Sequence, residues 1–274
     1  MKECDFMKEN KKRVIYYKDL KNDDFSGTNI TIQPLNDSYK YIHKNPLWNL
    51  AAVIVYYCIA KPVFVLITKC ICHQRYANKK LMKQAKKTGA ILYGNHTTLL
   101  ADAFVPNLVF SFRKNFIVVS PETTSIKGIK TLLAMLGAMP LSEKLTLKKK
   151  FIKAMHHHLD KKRLITIYPE AHIWPFYTKI RPFDDTSFKY AALFDKPVFA
   201  LTNCYQKRKL GKKPKIVTYF DGPFYPNPEL NTKENAAYLR DAVYKAMVDR
   251  TEKYSTYEYI KYIQIIEDEE KNQA

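Results

Sequence analysis

Hydrophobic and polar residues alternate in short blocks between residues 88 and 222, and this pattern predicts buried strands joined by helices. The apolar blocks are short and bounded by glycine, proline, asparagine or basic residues, which favours strands over helices. The blocks that predict strands are GAILYGN (89–95), NFIVVS (115–120), RLITIYP (163–169), KPVFALTN (196–203) and PKIVTYF (214–220).

The stretches between these blocks have the spacing of helices. The apolar residues of the basic stretch 145–163 recur every four positions and predict one buried helix face: Leu147, Phe151, Met155 and Leu159. Farther along, Asn231 followed by Glu234 forms a capping-box pattern that predicts the start of another helix. Alternating strands and helices predict an α/β domain with a mostly parallel sheet flanked by helices.

The most apolar region, residues 46–72, predicts a membrane-associated helical segment. Its run from Leu47 to Thr68 is long enough for a span, but Lys61 and Pro62 interrupt it. Proline kinks a helix interior, and a lysine is unfavourable inside a bilayer. We therefore expect re-entrant or interfacial helices, with a single span and a buried helical hairpin as the alternatives.

The chain is predicted to have three parts. Residues 1–45 are polar and form an N-terminal arm, in which RVIYYKDL (13–20) predicts a short strand. Residues 46–87 form the apolar, membrane-associating helical segment. Residues 88–274 form the α/β domain.

The composition indicates an anionic partner. The 274 residues include 46 Lys and Arg against 26 Asp and Glu, a formal net charge of +20, which favours nucleic acid, an anionic membrane surface or anionic substrates. No helix-turn-helix, zinc-finger or RNA-recognition signature is present, so nucleic acid is less favoured. The five cysteines form no CxxC pair and indicate a reducing compartment. No apolar core of a signal peptide occurs in the first forty residues.

Two of the predicted strands end in residues that can hold or transfer a proton. His96 follows the first strand, and Asp102 is the nearest carboxylate after it. A neutral imidazole can remove a proton from a hydroxyl when a carboxylate holds its other ring nitrogen. Glu170 ends another strand, and ligands gather at the carboxyl ends of strands in such sheets. Taken alone, the His–Asp pair also fits a structural strand end.

The order of these blocks resembles that of the glycerolipid acyltransferase family, whose members acylate glycerol phosphate, lysophosphatidic acid and other lysophospholipids. The family's first motif is Asn-His, four residues, then Asp, and its third is Phe-Pro-Glu-Gly-Thr-Arg-Ser. The resemblance covers about half of the chain. The matching stretches are GNHTTLLAD (94–102), LGAMPLSEK (136–144), IYPEAH (167–172), PFDDTSFKYAA (182–192) and KPVFALT (196–202).

The resemblance implies direct transfer of a fatty acyl group from a thioester donor, either acyl-CoA or an acyl carrier protein. His96 would be the general base for the acceptor's hydroxyl, and Asp102 would orient it. Asn95, or backbone N–H groups near Gly137, would stabilise the oxyanion. Glu170 would shape the acceptor site. The resemblance implies no cofactor, no metal and no covalent enzyme intermediate.

The chain departs from the family pattern where the acceptor's phosphate would be held. Five residues separate His96 from Asp102, and Ile173 occupies the position of the third motif's Arg. We expect Arg181 to hold the phosphate instead, with Lys179 and Lys144 as alternatives, because a guanidinium can bind a phosphate through two hydrogen bonds. The other candidate substrate-binding residues are Thr97, Lys144, Ala171, His172 and Lys179.

The most specific interpretation is an enzyme that converts 1-acylglycerol 3-phosphate to phosphatidic acid at the cytoplasmic face of a membrane. A lipid-binding relative without catalysis is an alternative, motivated by Ile173 and the longer first motif. A basic nucleic-acid-binding protein is a less favoured one. The consecutive histidines 156–158 are predicted to form a polar helix surface, because they cannot chelate one metal from one helix face.

Overall fold

The computed structural model describes residues 13–27, 31–109, 113–126 and 128–265. The first part of the predicted arm (1–12) and the last part of the predicted α/β domain (266–274) lie outside the described residues. The strands are β1 (Arg13–Tyr17), β2 (Gln74–Ala77), β3 (Ala90–Gly94), β4 (Asn115–Val119), β5 (Ala138–Pro140), β6 (Leu164–Ile167), β7 (Val198–Gln206), β8 (Lys215–Phe224) and β9 (Ile260–Gln264).

A seven-stranded sheet forms the centre of the described fold, in the order β2-β8-β7-β3-β6-β4-β5. Strands β3 to β7 run parallel to one another, and β8 runs antiparallel to β7. The predicted α/β class with a mostly parallel sheet is confirmed. Strands β2 and β5 lie in stretches for which the sequence predicted none, because each is too short to carry a clear pattern of alternation.

Helices cover both faces of this sheet. Ala90 and Leu92 of β3 face one core, and Ile91 and Tyr93 face the other, as side chains alternate along a strand. The apolar stripe predicted for the basic stretch 145–163 is buried in the core that contains Ile91 and Tyr93. The helices are α1 (Pro46–Ile71), α2 (Ala85–Thr88), α3 (Leu99–Phe104), α4 (Pro121–Ser125), α5 (Lys130–Leu136), α6 (Leu145–Asp160), α7 (Lys189–Phe194) and α8 (Thr232–Tyr254).

The apolar segment is one continuous helix, so the buried helical hairpin among the alternatives is wrong. Helix α1 has 26 residues and is long and apolar enough to cross a membrane by length and composition. Pro62 does not break it, because a π-helical stretch (Ile54–Ala60) precedes the proline, which then occupies the first turn of the next α-helical stretch. The wider π turn accommodates the ring and the missing N–H.

One row of α1 packs against the rest of the fold. Its members are spaced four residues apart and are buried, whereas most other side chains of the helix are exposed. In a regular α-helix such a row would drift by about 40° at each step, and the π-helical stretches reduce the drift. The buried row is Ala52, Tyr56, Ala60, Phe64 and Thr68.

A small second sheet joins the two ends of the described chain. Strand β1, predicted from the sequence, pairs in parallel with β9, which was not predicted. The Trp174 ring is fully buried there and lies 4.8 Å from the Tyr17 ring and 4.9 Å from the Tyr262 ring. Both ends of the described part of the chain therefore cover the loop that follows β6.

The prediction that all three adjacent histidines lie on a polar surface is wrong for His158. Its ring is buried and stacks on Phe116 at 3.7 Å between centroids. Arg163 lies 3.0 Å from its Nδ1 atom. Local pattern places His158 beside polar neighbours, but the helix face that it shares with Met155 and Leu159 is the buried one.

Candidate active site

His96 lies directly beyond the carboxyl end of β3, where its backbone is held on both sides. Its N–H donates to Oε2 of Glu170 at 3.0 Å. Its carbonyl accepts from the N–H of Trp174 at 3.1 Å. Because Glu170 and Trp174 both follow β6, the two strand ends are joined at one edge of the sheet, as the sequence predicted.

Asp102 reaches back from the first turn of α3 to the loop before the helix. Its Oδ2 atom lies 2.9 Å from Nδ1 of His96 and accepts the backbone N–H groups of Thr97 and Thr98, each at 2.9 Å. A carboxylate that accepts N–H groups at the start of a helix is electrostatically favoured. The loop 95–98 therefore absorbs the additional residue of the first motif, and Asp102 is aligned with His96.

The other carboxylate oxygen of Asp102 is also fully engaged. Oδ1 accepts from the Thr98 hydroxyl at 2.7 Å and from the side-chain amide of Asn203 at 2.9 Å. The carbonyl oxygen of that amide accepts in turn from the Thr218 hydroxyl at 2.7 Å and from Gln74 at 3.3 Å. This buried chain of hydrogen bonds fixes the carboxylate, and no local pattern in the sequence indicates its members.

The His96 ring is oriented but accessible. It stacks on Tyr168 at 4.6 Å between centroids, and the Tyr168 hydroxyl donates to the Asp102 carbonyl at 2.6 Å. The His96 side chain keeps 18% of its surface exposed. Since Asp102 can only accept, Nδ1 carries the proton and Nε2 presents a lone pair. Nε2 forms no hydrogen bond with the described residues.

Glu170 and Arg181 form a buried pair beneath this loop. Oε1 of Glu170 accepts the backbone N–H of Arg181 at 3.1 Å, and its Oε2 lies 3.5 Å from the guanidinium. The guanidinium also donates to the carbonyls of Glu170 and His172 and lies 5.1 Å above the Trp174 ring. Burial raises the pKa of Glu170, and the positive charge of Arg181 opposes this.

This geometry corrects the role expected for Arg181. Its side chain has no exposed surface, and its charge is directed at Glu170 and at the carbonyls of the loop. An acceptor's phosphate therefore has no access to it in this conformation. The sequence showed a cation near the third motif but not the aromatic residues that cover it.

Asn95 and Thr97 are also structural in this conformation and not open to a substrate. Asn95 is fully buried, and its amide exchanges hydrogen bonds with the backbone of Asn203, at 3.1 and 2.8 Å. Thr97 is fully buried, and its hydroxyl accepts from Tyr205 at 2.7 Å. Neither of these side chains is directed at an oxyanion, since both serve to hold β3 against β7.

Three of the remaining candidate residues lie on the loop that follows β6, and Lys144 lies apart from them. Lys179 and Ala171 are exposed and His172 is half-buried, all on the loop that starts at Glu170. Lys144 follows β5, three positions from β3 in the sheet, and its Nζ lies 3.5 Å from Asp37. The structure therefore places the third-motif residues on the loop next to His96. It places Lys144 three strands away from β3.

The backbone near Gly137 does not belong to the site. Its N–H closes α5 by donating to Ala134 at 3.1 Å, and its φ of 97° is the left-handed conformation that ends the helix. Gly137 precedes β5 and so lies at the amino edge of the parallel strands, opposite His96. The expected oxyanion contribution from this turn is therefore wrong.

An imidazole with one nitrogen held by a carboxylate and the other presented outward can accept a proton from a hydroxyl. That chemistry agrees with the sequence comparison. The family model described as Acyltransferase matches residues 73–202, a stretch that contains His96, Asp102 and Glu170. Residues 73–202 thus match an acyltransferase domain, which supports the resemblance of the two motifs to the glycerolipid acyltransferase family.

A solved structure has the same fold. It is the 1-acyl-sn-glycerophosphate (LPA) acyltransferase PlsC from Thermotoga maritima. The two chains share 14% of their residues, with a TM-score of 0.51, over 76% of this chain and 84% of PlsC. At this identity the similarity establishes the fold alone. A comparison with curated proteins gives no match.

Proposed function

We propose that this acyltransferase moves a fatty acyl group from a thioester donor to the free hydroxyl of a lysophospholipid. The first candidate acceptor is 1-acylglycerol 3-phosphate, and the product would be phosphatidic acid. The observation that carries the proposal is the 2.9 Å contact between Nδ1 of His96 and Asp102, which leaves Nε2 available to an incoming hydroxyl.

In the proposed reaction, Nε2 of His96 removes the proton from the acceptor's hydroxyl as its oxygen attacks the thioester carbonyl. Asp102 stabilises the imidazolium that forms. The tetrahedral intermediate collapses with cleavage of the carbon–sulfur bond, and the imidazolium returns the proton to the departing thiolate. The acyl group is then esterified to the acceptor, and no acyl-enzyme is formed.

The acceptor's phosphate needs a cation other than Arg181. Lys179 is exposed on the loop that starts at Glu170, and the half-buried His172 lies on the same loop. Outside the buried pair, these are an ammonium and an imidazole that the described part of this loop presents. We assign Lys179 as the first candidate for the phosphate and His172 as the second.

The proposal includes association with a membrane. Helix α1 is the candidate for the membrane-binding element. The buried row of α1 runs from Ala52 to Thr68, a length of about 24 Å along the helix. A helix packed over that distance against a basic domain suits the membrane interface better than a span. The in-plane arrangement would place the domain at one membrane face, for which we propose the cytoplasmic one.

Acyl transfer to lysophosphatidic acid tests the proposal, with oleoyl-CoA and an oleoyl acyl carrier protein as alternative donors. We expect activity with at least one donor, unaffected by EDTA, because no step needs a metal. His96→Ala should lower kcat by about 10³-fold or more, and Asp102→Asn by a similar factor. The matched control is His156→Ala, which removes an exposed histidine outside the site and should leave activity unchanged.

A second candidate function is lipid binding without catalysis. It is favoured by Ile173, which stands at the position of the family's Arg, and by the burial of Arg181. Absence of turnover with both donors and with phosphate-bearing and neutral acceptors would support this function, provided that the protein still binds lysophospholipid. Turnover abolished by His96→Ala would exclude it.

A further inference from the structure

The loop that joins β7 to β8 is the most basic turn of the described fold. Between Gln206 and Lys215 the chain contains no acidic residue. Lys207, Lys209 and Lys212 are exposed on it. The cations of the stretch are Lys207, Arg208, Lys209, Lys212, Lys213 and Lys215.

The loop is held in shape by its own backbone and by the C-terminal segment. Nε of Arg208 donates to the carbonyl of Lys213 at 2.7 Å, which closes the loop on itself. Gly211 has a φ of 87°, the left-handed conformation that the turn requires. The Tyr257 hydroxyl donates to the carbonyl of Lys212 at 3.2 Å. The tip residue Leu210 is consequently 86% exposed.

This loop projects from the edge of the sheet that carries His96. Gly94, at the end of β3, pairs with Leu201 of β7, and β7 continues to Gln206 before the loop begins. Five further strand residues extend about 17 Å. The loop therefore rises above the site on the side of the neighbouring strand.

The end of α1 lies beside the base of the same loop. Gln74, which starts β2 just after the helix, pairs with Ile216 of β8. Within the last turns of α1, Leu66 is 61% exposed and Ile71 is 55% exposed. An apolar helix end and a basic loop with an apolar tip thus flank one edge of the sheet.

We infer that the β7–β8 loop is a docking element for an anionic lipid bilayer. Leu210 would enter the interface while the surrounding cations bind lipid phosphates, so that the edge carrying His96 faces the membrane. An acidic protein would satisfy the cations but would gain nothing from the bare leucine or from the apolar helix end beside it. The inference extends the membrane association proposed above, yet it concerns binding and not turnover.

Vesicle cosedimentation of the full chain tests the inference. One vesicle preparation is phosphatidylcholine alone, and the other contains one quarter phosphatidylglycerol. In the loop variant Lys207, Lys209 and Lys212 are replaced by Gln. We expect its partition onto the anionic vesicles to fall by about 100-fold, at about fivefold per cation. Leu210→Ser should weaken binding to both preparations, and salt should reduce the difference between them.

The matched control removes the same charge from another surface. Lys233, Lys245 and Lys253 are exposed on α8, which packs against the opposite face of the sheet from α1. Replacing them by Gln should change partitioning by less than about threefold if position matters. Equal losses in the loop and control variants would attribute binding to net charge and overturn the inference.

Two further outcomes are distinguishable. A loop variant that keeps its vesicle binding but loses affinity for an acyl carrier protein would also overturn the inference, in favour of a protein partner. A wild-type chain that binds anionic vesicles through the loop but transfers no acyl group would contradict the proposed function and leave this inference standing.

Discussion

The side-chain amide of Asn203 donates to Oδ1 of Asp102 at 2.9 Å, across a separation of 101 residues in the chain. Asn203 is itself fully buried and is fixed by Thr218, so the hydrogen bond has a defined direction. Through this hydrogen bond, a residue in the middle of β7 fixes the position of the Asp102 carboxylate on α3. Asn203 touches no reacting atom and is therefore a positioning residue.

Asn203→Ala should lower kcat without changing KM for either substrate. The substitution removes one of the two donors to Oδ1 of Asp102, at a cost of about 1–3 kcal/mol. An equal loss of transition-state stabilisation corresponds to about 5- to 150-fold in rate. Steady-state kinetics of the folded variant measure the effect. A fall in the melting temperature with unchanged kcat would show that Asn203 has only a structural role.

The control for that substitution is Asn235→Ala. Asn235 is also buried, and its amide donates to the carbonyls of Asn227 and Leu230, both at 2.8 Å. These residues precede or begin α8 and have no contact with Asp102. Its loss should lower stability by a similar amount while kcat per folded molecule remains that of the wild type.

Arg181→Met should unfold the loop that starts at Glu170, and its effect should not be limited to weaker phosphate binding. The substitution leaves Glu170 buried without its cation, a change that lowers the free energy of unfolding by about 3–5 kcal/mol. Thermal denaturation measures it. In the folded fraction, phosphate-bearing and neutral acceptors should be affected alike; a selective rise of KM for the phosphate-bearing acceptor would restore the direct role.

Lys179→Met is the contrasting substitution on the same loop. Lys179 is exposed, so the variant should keep the melting temperature of the wild type. It should raise KM for 1-acylglycerol 3-phosphate by about fivefold or more and leave KM for a neutral acceptor unchanged. Equal KM values for wild type and variant would remove Lys179 from the acceptor site.

His158 should make the protein sensitive to acid. Burial, reinforced by the positive charge of Arg163, lowers the pKa of His158 from 6.5 to about 3 in the folded state. Between these values the unfolded chain binds a proton that the folded chain does not. The free energy of unfolding therefore falls as the pH falls below 6.5, by about 1.4 kcal/mol per pH unit.

Urea unfolding at pH 6.5 and pH 5 measures this contribution, which amounts to about 2 kcal/mol over the interval. In His158→Phe the new ring can still stack on Phe116, but it cannot bind a proton. The decrease in the free energy of unfolding that His158 causes at low pH should therefore disappear. His156→Gln, which alters an exposed histidine on the same helix, should keep the full wild-type loss. Identical pH dependence in the wild type and His158→Phe would contradict the assignment.

Leu50→Asp with Leu66→Asp should release the protein from membranes without unfolding it. These leucines are 58% and 61% exposed on the outer side of α1, away from its buried row. Each substitution removes about 1.5–3 kcal/mol of the favourable free energy of burying a leucine side chain in the membrane. The pair should therefore lower partitioning by at least about 100-fold. Deleting the whole segment would be a poorer test, because the buried row would be lost with it.

A matched substitution is available on the other face of the sheet. Leu193 on α7 is 57% exposed, which is close to the 58% and 61% at the two α1 positions. Leu193→Asp should leave membrane partitioning unchanged. Release of this variant as well would mean that no particular surface of the molecule meets the lipid.

The elements that sequence predicts well are those with local causes. The blocks at β3, β4, β6, β7 and β8 are buried strands because their own side chains are apolar in short runs. The start of α8 follows from Asn231 and Glu234, whose mutual caps are both present. His96, Asp102 and Glu170 could also be predicted as candidates from the sequence, because each stands at or near the end of such an element.

What the sequence could not reveal depends on distant partners. Asn203 reads as one polar residue in an apolar strand until Asp102 is seen beside it. Arg181 reads as an available cation until Trp174 and its aromatic neighbours are seen to cover it. In both cases burial of the polar group depends on residues far away in the chain, and no local periodicity encodes that.

The pairing of β1 with β9 has a consequence for how the protein is made. During synthesis β1 is made early, but its partner strand follows only 247 residues later, since Arg13 pairs with Ile260. Until then Trp174 lacks Tyr262, and the loop beneath it that holds Glu170 against His96 is only partly covered. The covering of this loop is therefore completed only after β9 has been made, when the apolar helix α1 has long been outside the ribosome.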